Sequence, residues 1–311
     1  MQSDKKKYQR LIECDELDID LARVLIRKKG IVKGTPHEGD IRRRVWGVFL
    51  EFLPCDTTVW KERVETYTQQ YQNFVNDFYY NVKFPKTEIL SILQKDTPRI
   101  FPEVQFFKDE DVIEAIQRIL FVNCVFNKTL QYVQGWHEIC AMMYYVFSNG
   151  QSDKTESEAM TYFGFTTFVL MFRDWFDKDC DDQVFGIRDC FRGIDIVLQM
   201  IDKDFFMFLK KNQIESECYA FRWISIFFID NFSFEDSLRI WDVLLCDFCK
   251  KSDICLTIKC VATAMAVYKR DVWMKKEPNE VLHQLMNVCP TADEILVKAN
   301  KFKKNSQKFK F

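Results

Sequence analysis

Only 9 glycines and 7 prolines punctuate 311 residues, and that scarcity limits the folds open to the chain more than any other feature. Turns between strands draw on residues that accept a positive or a fixed φ, so an all-β protein of this length would need many more of them. Long helices joined by few connections are the expectation. A composition of 48% hydrophobic and 29% charged residues suits a globular protein with a sizeable core. Apolar residues recur at helical spacing through most of the chain. Ile41, Val45, Val48 and Phe49 share one side of a helix that begins near Gly39. Val112, Ile116, Ile119, Leu120 and Asn123 form a second stripe behind Asp109, Glu110 and Asp111, acids that a helix dipole favours at its start. Segments 139–147 and 163–172 are strongly apolar, and Ile194, Val197, Leu198, Ile201, Phe205 and Leu209 mark a further stripe. Residues 223–229 are apolar on almost every side, which predicts a central buried helix. Ser233 with Asp236, and Thr291 with Glu294, read as helix caps. The expected fold class is all-α, a multi-helix domain in two continuous helical halves. Residues 1–29 read as a charged lead-in with one short helix over 19–26, residues 30–290 as the domain, and 291–311 as a C-terminal helix and basic tail. The Lys-rich end reads as solvated and fraying, with weak attraction to acidic lipid as the alternative.

A formal net charge of −2 gives no global attraction to nucleic acid. The 12 cysteines sit mostly among apolar residues, as Cys124 does between Val122 and Phe126, and read as reduced core residues. The N-terminus opens charged, without an apolar signal segment, and the longest uncharged runs are shorter than a membrane helix requires. A cytoplasmic protein is the expectation.

Four short segments carry chemistry. In the first, Arg42 and Trp46 lie four apart and share a helix face just after Gly34-Thr35-Pro36; the plain alternative is a basic helix start with a buried Trp. In the second, Pro98 and Pro102 bracket Arg99 and disfavour helix at Thr97 and Phe101, while Asp96 can bond nearby backbone N–H groups and fix the turn. That presents a guanidinium on a stiffened loop, although Asp96 and Arg99 could equally form a local ion pair. In the third, Tyr132-Val133-Gln134-Gly135-Trp136, Gly135 permits close approach of another backbone. Gln134 there offers a carbonyl that can hold a water and an N–H that can reach a phosphate oxygen. A helix start with buried aromatics is the plain alternative. The fourth, Arg222-Trp223 with Phe234, Ile240, Trp241 and Asp242, reads as scaffold, with Asp242 or Asp236 to pair Arg222 if it is buried.

In this order the segments resemble the TBC domain family, GTPase-activating proteins for Rab/Ypt GTPases. The family pattern runs Arg-x-x-x-Trp, Ile-x-x-Asp-x-x-Arg, Tyr-x-Gln-Gly, Arg-Trp and a Phe…Ile-Trp-Asp segment. This chain has Arg42/Trp46, Leu93/Asp96/Arg99, Tyr132/Gln134/Gly135, Arg222/Trp223 and Phe234/Ile240/Trp241/Asp242, over roughly residues 30–290. Leu93 stands where the family has Ile. Trp136-His137 stands where Met-Asn is usual, and the larger ring is expected to reshape the surface beside Gln134.

The resemblance implies a partner, a Rab/Ypt small GTPase in its GTP-bound state, and a role in vesicle trafficking. Arg99 matches the family's arginine finger and Gln134 its glutamine finger, both supplied in trans. Asp96 would position the Arg99 loop, and Arg42, Trp46, Tyr132 and Gly135 would support the site. No cofactor of the chain's own is implied, since GTP and Mg²⁺ belong to the partner. Membrane contact would be peripheral, through that partner at an endomembrane. The rival is a catalytically silent TBC-like scaffold that binds a GTPase or effector. Other chemistry reads weakly. Cys246 and Cys249 have the spacing of a zinc pair, but Cys255 and Cys260 do not continue it. Asp177, Asp179 and Asp181 open like a calcium loop, but Asp182 and Arg188 stand where Gly and Glu are needed. His37, His137 and His283 are scattered, with no hydrolase arrangement about them.

Overall fold

The computed structural model describes residues 2–31, 37–81, 87–126, 132–151, 153–180 and 186–308. Gly34-Thr35-Pro36, Asp181 and Asp182 lie outside them. Among the described residues there is no strand, only an isolated bridge between Glu16 and Asp56, so the fold is all-α as expected. The chain divides into two compact units, Met1–Phe172 and Arg173–Phe311.

The first unit holds α1 (Gln2–Glu13), α2 (Ile19–Lys29), α3 (Glu38–Phe49), α4 (Trp60–Phe74), α5 (Thr87–Asp96), α6 (Glu110–Phe126), α7 (Trp136–Ser148) and α8 (Lys154–Met171). The stretch read as a lead-in is thus two helices, α1 and α2, both packed on α3, with Tyr8, Leu11, Leu25 and Ile26 buried. Asp18 caps α2 by accepting from the Leu21 N–H at 2.9 Å, and Asp153 caps α8 through Thr155 and Glu156. α4, α6 and α7 all pack on α8. Gly164 fits a close α7–α8 approach, since a Cβ there would stand a tight 3.2 Å from ring carbons of Phe147 and Phe52.

A buried ionic cluster ties three of these helices together. Glu158 of α8 is 6% exposed. It accepts from Tyr71 of α4 at 2.8 Å and from Arg118 of α6 at 2.8 and 2.7 Å. These hydrogen bonds satisfy a carboxylate that would otherwise be very unfavourable in a core.

The second unit holds α9 (Arg173–Phe176), α10 (Ile187–Ile201), α11 (Lys203–Lys211), α12 (Ser216–Ser225), α13 (Phe234–Leu245), α14 (Lys251–Ala266), α15 (Arg270–Trp273), α16 (Pro278–Met286) and α17 (Ala292–Lys308). Three expectations are corrected here. The stripe from Ile194 to Leu209 is two helices, because Asp202 leaves helical dihedrals, caps α11 through the Phe205 N–H and pairs with Arg270. The helix expected over 223–229 ends at Ser225, where Phe227 and Phe228 take φ of 51° and 70°. That buried irregular backbone is satisfied by side chains: the Trp241 indole donates to the Phe227 carbonyl and Ser237 to that of Ile229. The basic C-terminus is helical to Lys308. α17 packs on α14, and Lys303, 8% exposed, donates to Asp247 at 2.6 Å and Thr257 at 2.8 Å.

Ser233 caps α13 through the Asp236 N–H at 3.2 Å, and Glu294 reaches back to the Thr291 N–H. Arg222 is exposed and pairs with Asp230 rather than Asp242 or Asp236. Six of the 12 cysteines are buried. Cys246 is buried and Cys249 exposed. Among the described residues no group of three or more metal-ligating side chains is gathered, and no helix is long and apolar enough to cross a membrane.

Candidate functional site

Arg99 and Gln134 both stand exposed, on two turns of the first unit. The Arg99 turn is one 3-10 turn, Thr97–Arg99, that continues directly from α5. Pro98 therefore does not keep Thr97 extended. It sits within the turn, which the Ile100 N–H closes on the Thr97 carbonyl. The turn is anchored on both sides: Leu93 and Thr97 are fully buried, Ile100 is 2% exposed, and the Phe101 ring packs on Phe107 at 5.2 Å. Thr97 donates to the Leu93 carbonyl at 2.9 Å and accepts from Gln117 of α6 at 2.7 Å, while the Ile100 N–H closes the turn on Thr97.

The Gln134 turn opens α7. The Trp136 N–H bonds the Val133 carbonyl at 3.1 Å, and Gly135 has φ 102° and ψ −18°. Those dihedrals belong to the third residue of a type II turn, which L side chains resist, so Gly135 is required there. Gln134 is left at the tip. The expectation for Trp136 is corrected: its ring is fully buried, edge-on to Phe165 at 5.7 Å and Tyr132 at 6.4 Å, so it builds core and not surface.

One hydrogen bond joins the turns. The Tyr132 hydroxyl donates to Asp96 Oδ2 at 2.8 Å, and the same oxygen lies 2.7 Å from His137 Nδ1. Burial, with the Asp96 carboxylate beside it, pushes the Tyr132 hydroxyl far above its usual range, so it stays protonated. Asp96 thus acts differently from expectation. It keeps helical dihedrals and makes no side-chain cap on its own turn; the carboxylate holds Tyr132. Nor does it pair with Arg99, whose guanidinium has no hydrogen bond or ion pair among the described residues.

Arg42 and Trp46 lie on α3, which packs against α7. Trp46 is fully buried, and Arg42, 5% exposed, pairs with Glu38 at 3.3 Å and donates to the Ile31 carbonyl. Sequence reasoning missed Thr97, Gln117 and His137. Thr97 had a signal, a hydroxyl four residues after Leu93 that can bond its carbonyl; His137 stood out only as a departure from the family's Asn, and Gln117 had no signal.

Arg99 and Gln134 thus stand exposed on two turns that one hydrogen bond joins, within an all-α module. The sequence matches the RabGAP-TBC family, described as the Rab-GTPase-TBC domain, over residues 39–272. The chain belongs to that family. It is similar to human TBC1 domain family member 13, 22% identical over 69% of this chain and 78% of that protein. It is also similar to human TBC1 domain family member 5, 24% identical over 84% of this chain but only 41% of that protein. Among solved structures, the Ypt/Rab-GAP domain of Gyp1p superimposes with a TM-score of 0.83, covering 98% of this chain and 99% of that one. At 17% identity that likeness speaks for the fold.

Proposed function

We propose that this chain accelerates GTP hydrolysis by a Rab-family GTPase in its GTP-bound state, with Arg99 and Gln134 inserted in trans. The observation that carries the reading is the Tyr132–Asp96 hydrogen bond, which braces two turns that each end in an exposed polar side chain. A guanidinium that no carboxylate among the described residues holds can meet the charge that grows on a transferred phosphoryl group, with little reorganisation. Such an arginine typically contributes about 10³–10⁵ in rate. Gln134 orients the attacking water with its carbonyl and donates its N–H to a phosphate oxygen. GTP and Mg²⁺ are the partner's, and so is any attachment to an endomembrane.

Phosphate release from a panel of GTP-loaded Rabs tests this. At least one Rab is accelerated, and Arg99→Ala and Gln134→Ala each lower that rate by about 10²-fold or more with the helical circular dichroism unchanged. Full acceleration by the Arg99 variant would remove the mechanism. Tight GTP-dependent binding without acceleration would make the chain a scaffold.

A further inference from the structure

The hydroxyl of Tyr132 has one proton and two close neighbours, Asp96 Oδ2 at 2.8 Å and His137 Nδ1 at 2.7 Å. A carboxylate only accepts, so the tyrosine proton lies toward Asp96. The His137 nitrogen must then donate. A bare Nδ1 at that distance would face the tyrosine oxygen lone pair to lone pair. The tautomer at His137 is therefore set by its contact with Tyr132. His137 is 5% exposed, and this relay through Tyr132 and Asp96 stops at the residue before the Arg99 turn.

We propose that His137 is a positioning residue for Arg99: its Nδ1–H orients the Tyr132 hydroxyl toward Asp96 and so holds the end of α5 in place. Its functional meaning rests on the reading of Arg99 given above. The hydrogen-bond relay itself does not. Donation at Nδ1 is the only chemistry the role needs. An Asn side chain can set an amide N–H where Nδ1–H stands, because both nitrogens are one bond from Cγ. A Phe fills the site but donates nothing.

Two measurements judge the relay without any GTPase. The chain has 3 histidines, so His137→Asn identifies the His137 signals in imidazole ¹⁵N spectra. At neutral pH they should show a protonated Nδ1; a bare Nδ1 with a protonated Nε2 would overturn the proposal. Amide hydrogen exchange then reads the turn at Ile100, whose N–H bonds the Thr97 carbonyl. His137→Phe and Tyr132→Phe should each speed that exchange about fivefold to tenfold, the worth of one interior hydrogen bond. The double variant should exceed neither by more than about twofold, because both break one relay. His137→Asn should stay within about twofold of the parent. Exchange within α8 serves as the control for global loosening. Multiplying effects, or an Asn variant as damaged as the Phe variant, would refute the relay. With an accelerated Rab in hand, His137→Phe should lower kcat while KM stays within about twofold, and Asn should restore kcat. If the parent accelerates no Rab, the functional reading fails, and the tautomer and exchange results still decide the relay.

Discussion

Glu158→Gln removes one charge from the cluster at the centre of the first unit and alters almost no volume. The carboxylate receives three hydrogen bonds, from Tyr71 at 2.8 Å and from Arg118 at 2.8 and 2.7 Å. A carboxamide keeps one acceptor oxygen and turns its NH₂ toward a donor, so at least one of those bonds becomes a donor facing a donor. Arg118 retains Glu114 at 3.0 Å, but that side chain is 57% exposed and contributes little. Removing one partner of a buried pair typically destabilises by ~3–5 kcal/mol. The retained partner favours the lower end, about 3 kcal/mol. For a unit of this size each kcal/mol moves Tm by ~2–4 °C, so the expected drop is about 6–12 °C. Differential scanning calorimetry of the full chain reads it, with Glu114→Gln as the exposed control at about 1 kcal/mol or less. A Glu158→Gln transition within about 3 °C of the parent, or no lower than that of Glu114→Gln, would refute the cluster's role.

Gly135→Ala forces an L side chain to φ 102° and should strain the Gln134 turn by about 1–3 kcal/mol, lowering phosphate release. Gly150→Ala, at φ 76° with nothing within 4 Å, should leave the rate unchanged. Lys303→Met strips the ammonium from Asp247 and should destabilise the second unit by about 3 kcal/mol in urea denaturation, whereas a fraying tail would register nothing. A maleimide at pH 8 should label the exposed Cys218, Cys249 and Cys289 first. Burial pushes Cys124 and Cys260 up to about 12 and Cys255 up to about 11, so these form no thiolate there and should label only on unfolding. Mass spectrometry of tryptic peptides distinguishes the outcomes.

Helix content was legible because burial of one face imposes a 3.6-residue period, which α3, α6 and α10 all carry. Where helices end was less legible. A single capping residue, Asp202, breaks the chain between α10 and α11 while the apolar period runs on across it. Residues 223–229 are apolar all round, which suits an irregular buried turn as well as a helix; the distinction lies with Trp241 and Ser237, which satisfy that turn from another helix. Lys303 looks like a tail residue until Asp247, 56 positions earlier, is brought against it. The site followed the same division. Arg99 and Gln134 stood out because their segments match, in order, the motifs of the family the chain resembles, while each segment alone read equally as ordinary packing. The bond that braces them spans 36 positions from Asp96 to Tyr132 and leaves no local pattern.

That bond also accounts for an aspartate that makes no pair with the arginine three residues on. With its carboxylate engaged by Tyr132, Asp96 has less to gain from turning to Arg99. Tyr132→Phe should thus injure the site twice, by loosening the turn and by releasing an anion that can pair with the guanidinium. The second injury is separable. Adding Asp96→Asn to Tyr132→Phe removes the released charge without restoring the tether. An exposed ion pair is worth at most about 1 kcal/mol, so the double variant should recover up to about fivefold of the phosphate-release rate that Tyr132→Phe loses. The recovery should shrink as salt rises, since screening weakens the competing pair in the single variant as well. A double variant no faster than Tyr132→Phe at low salt would mean that Asp96 never competes for Arg99, and that Tyr132 acts through the tether alone.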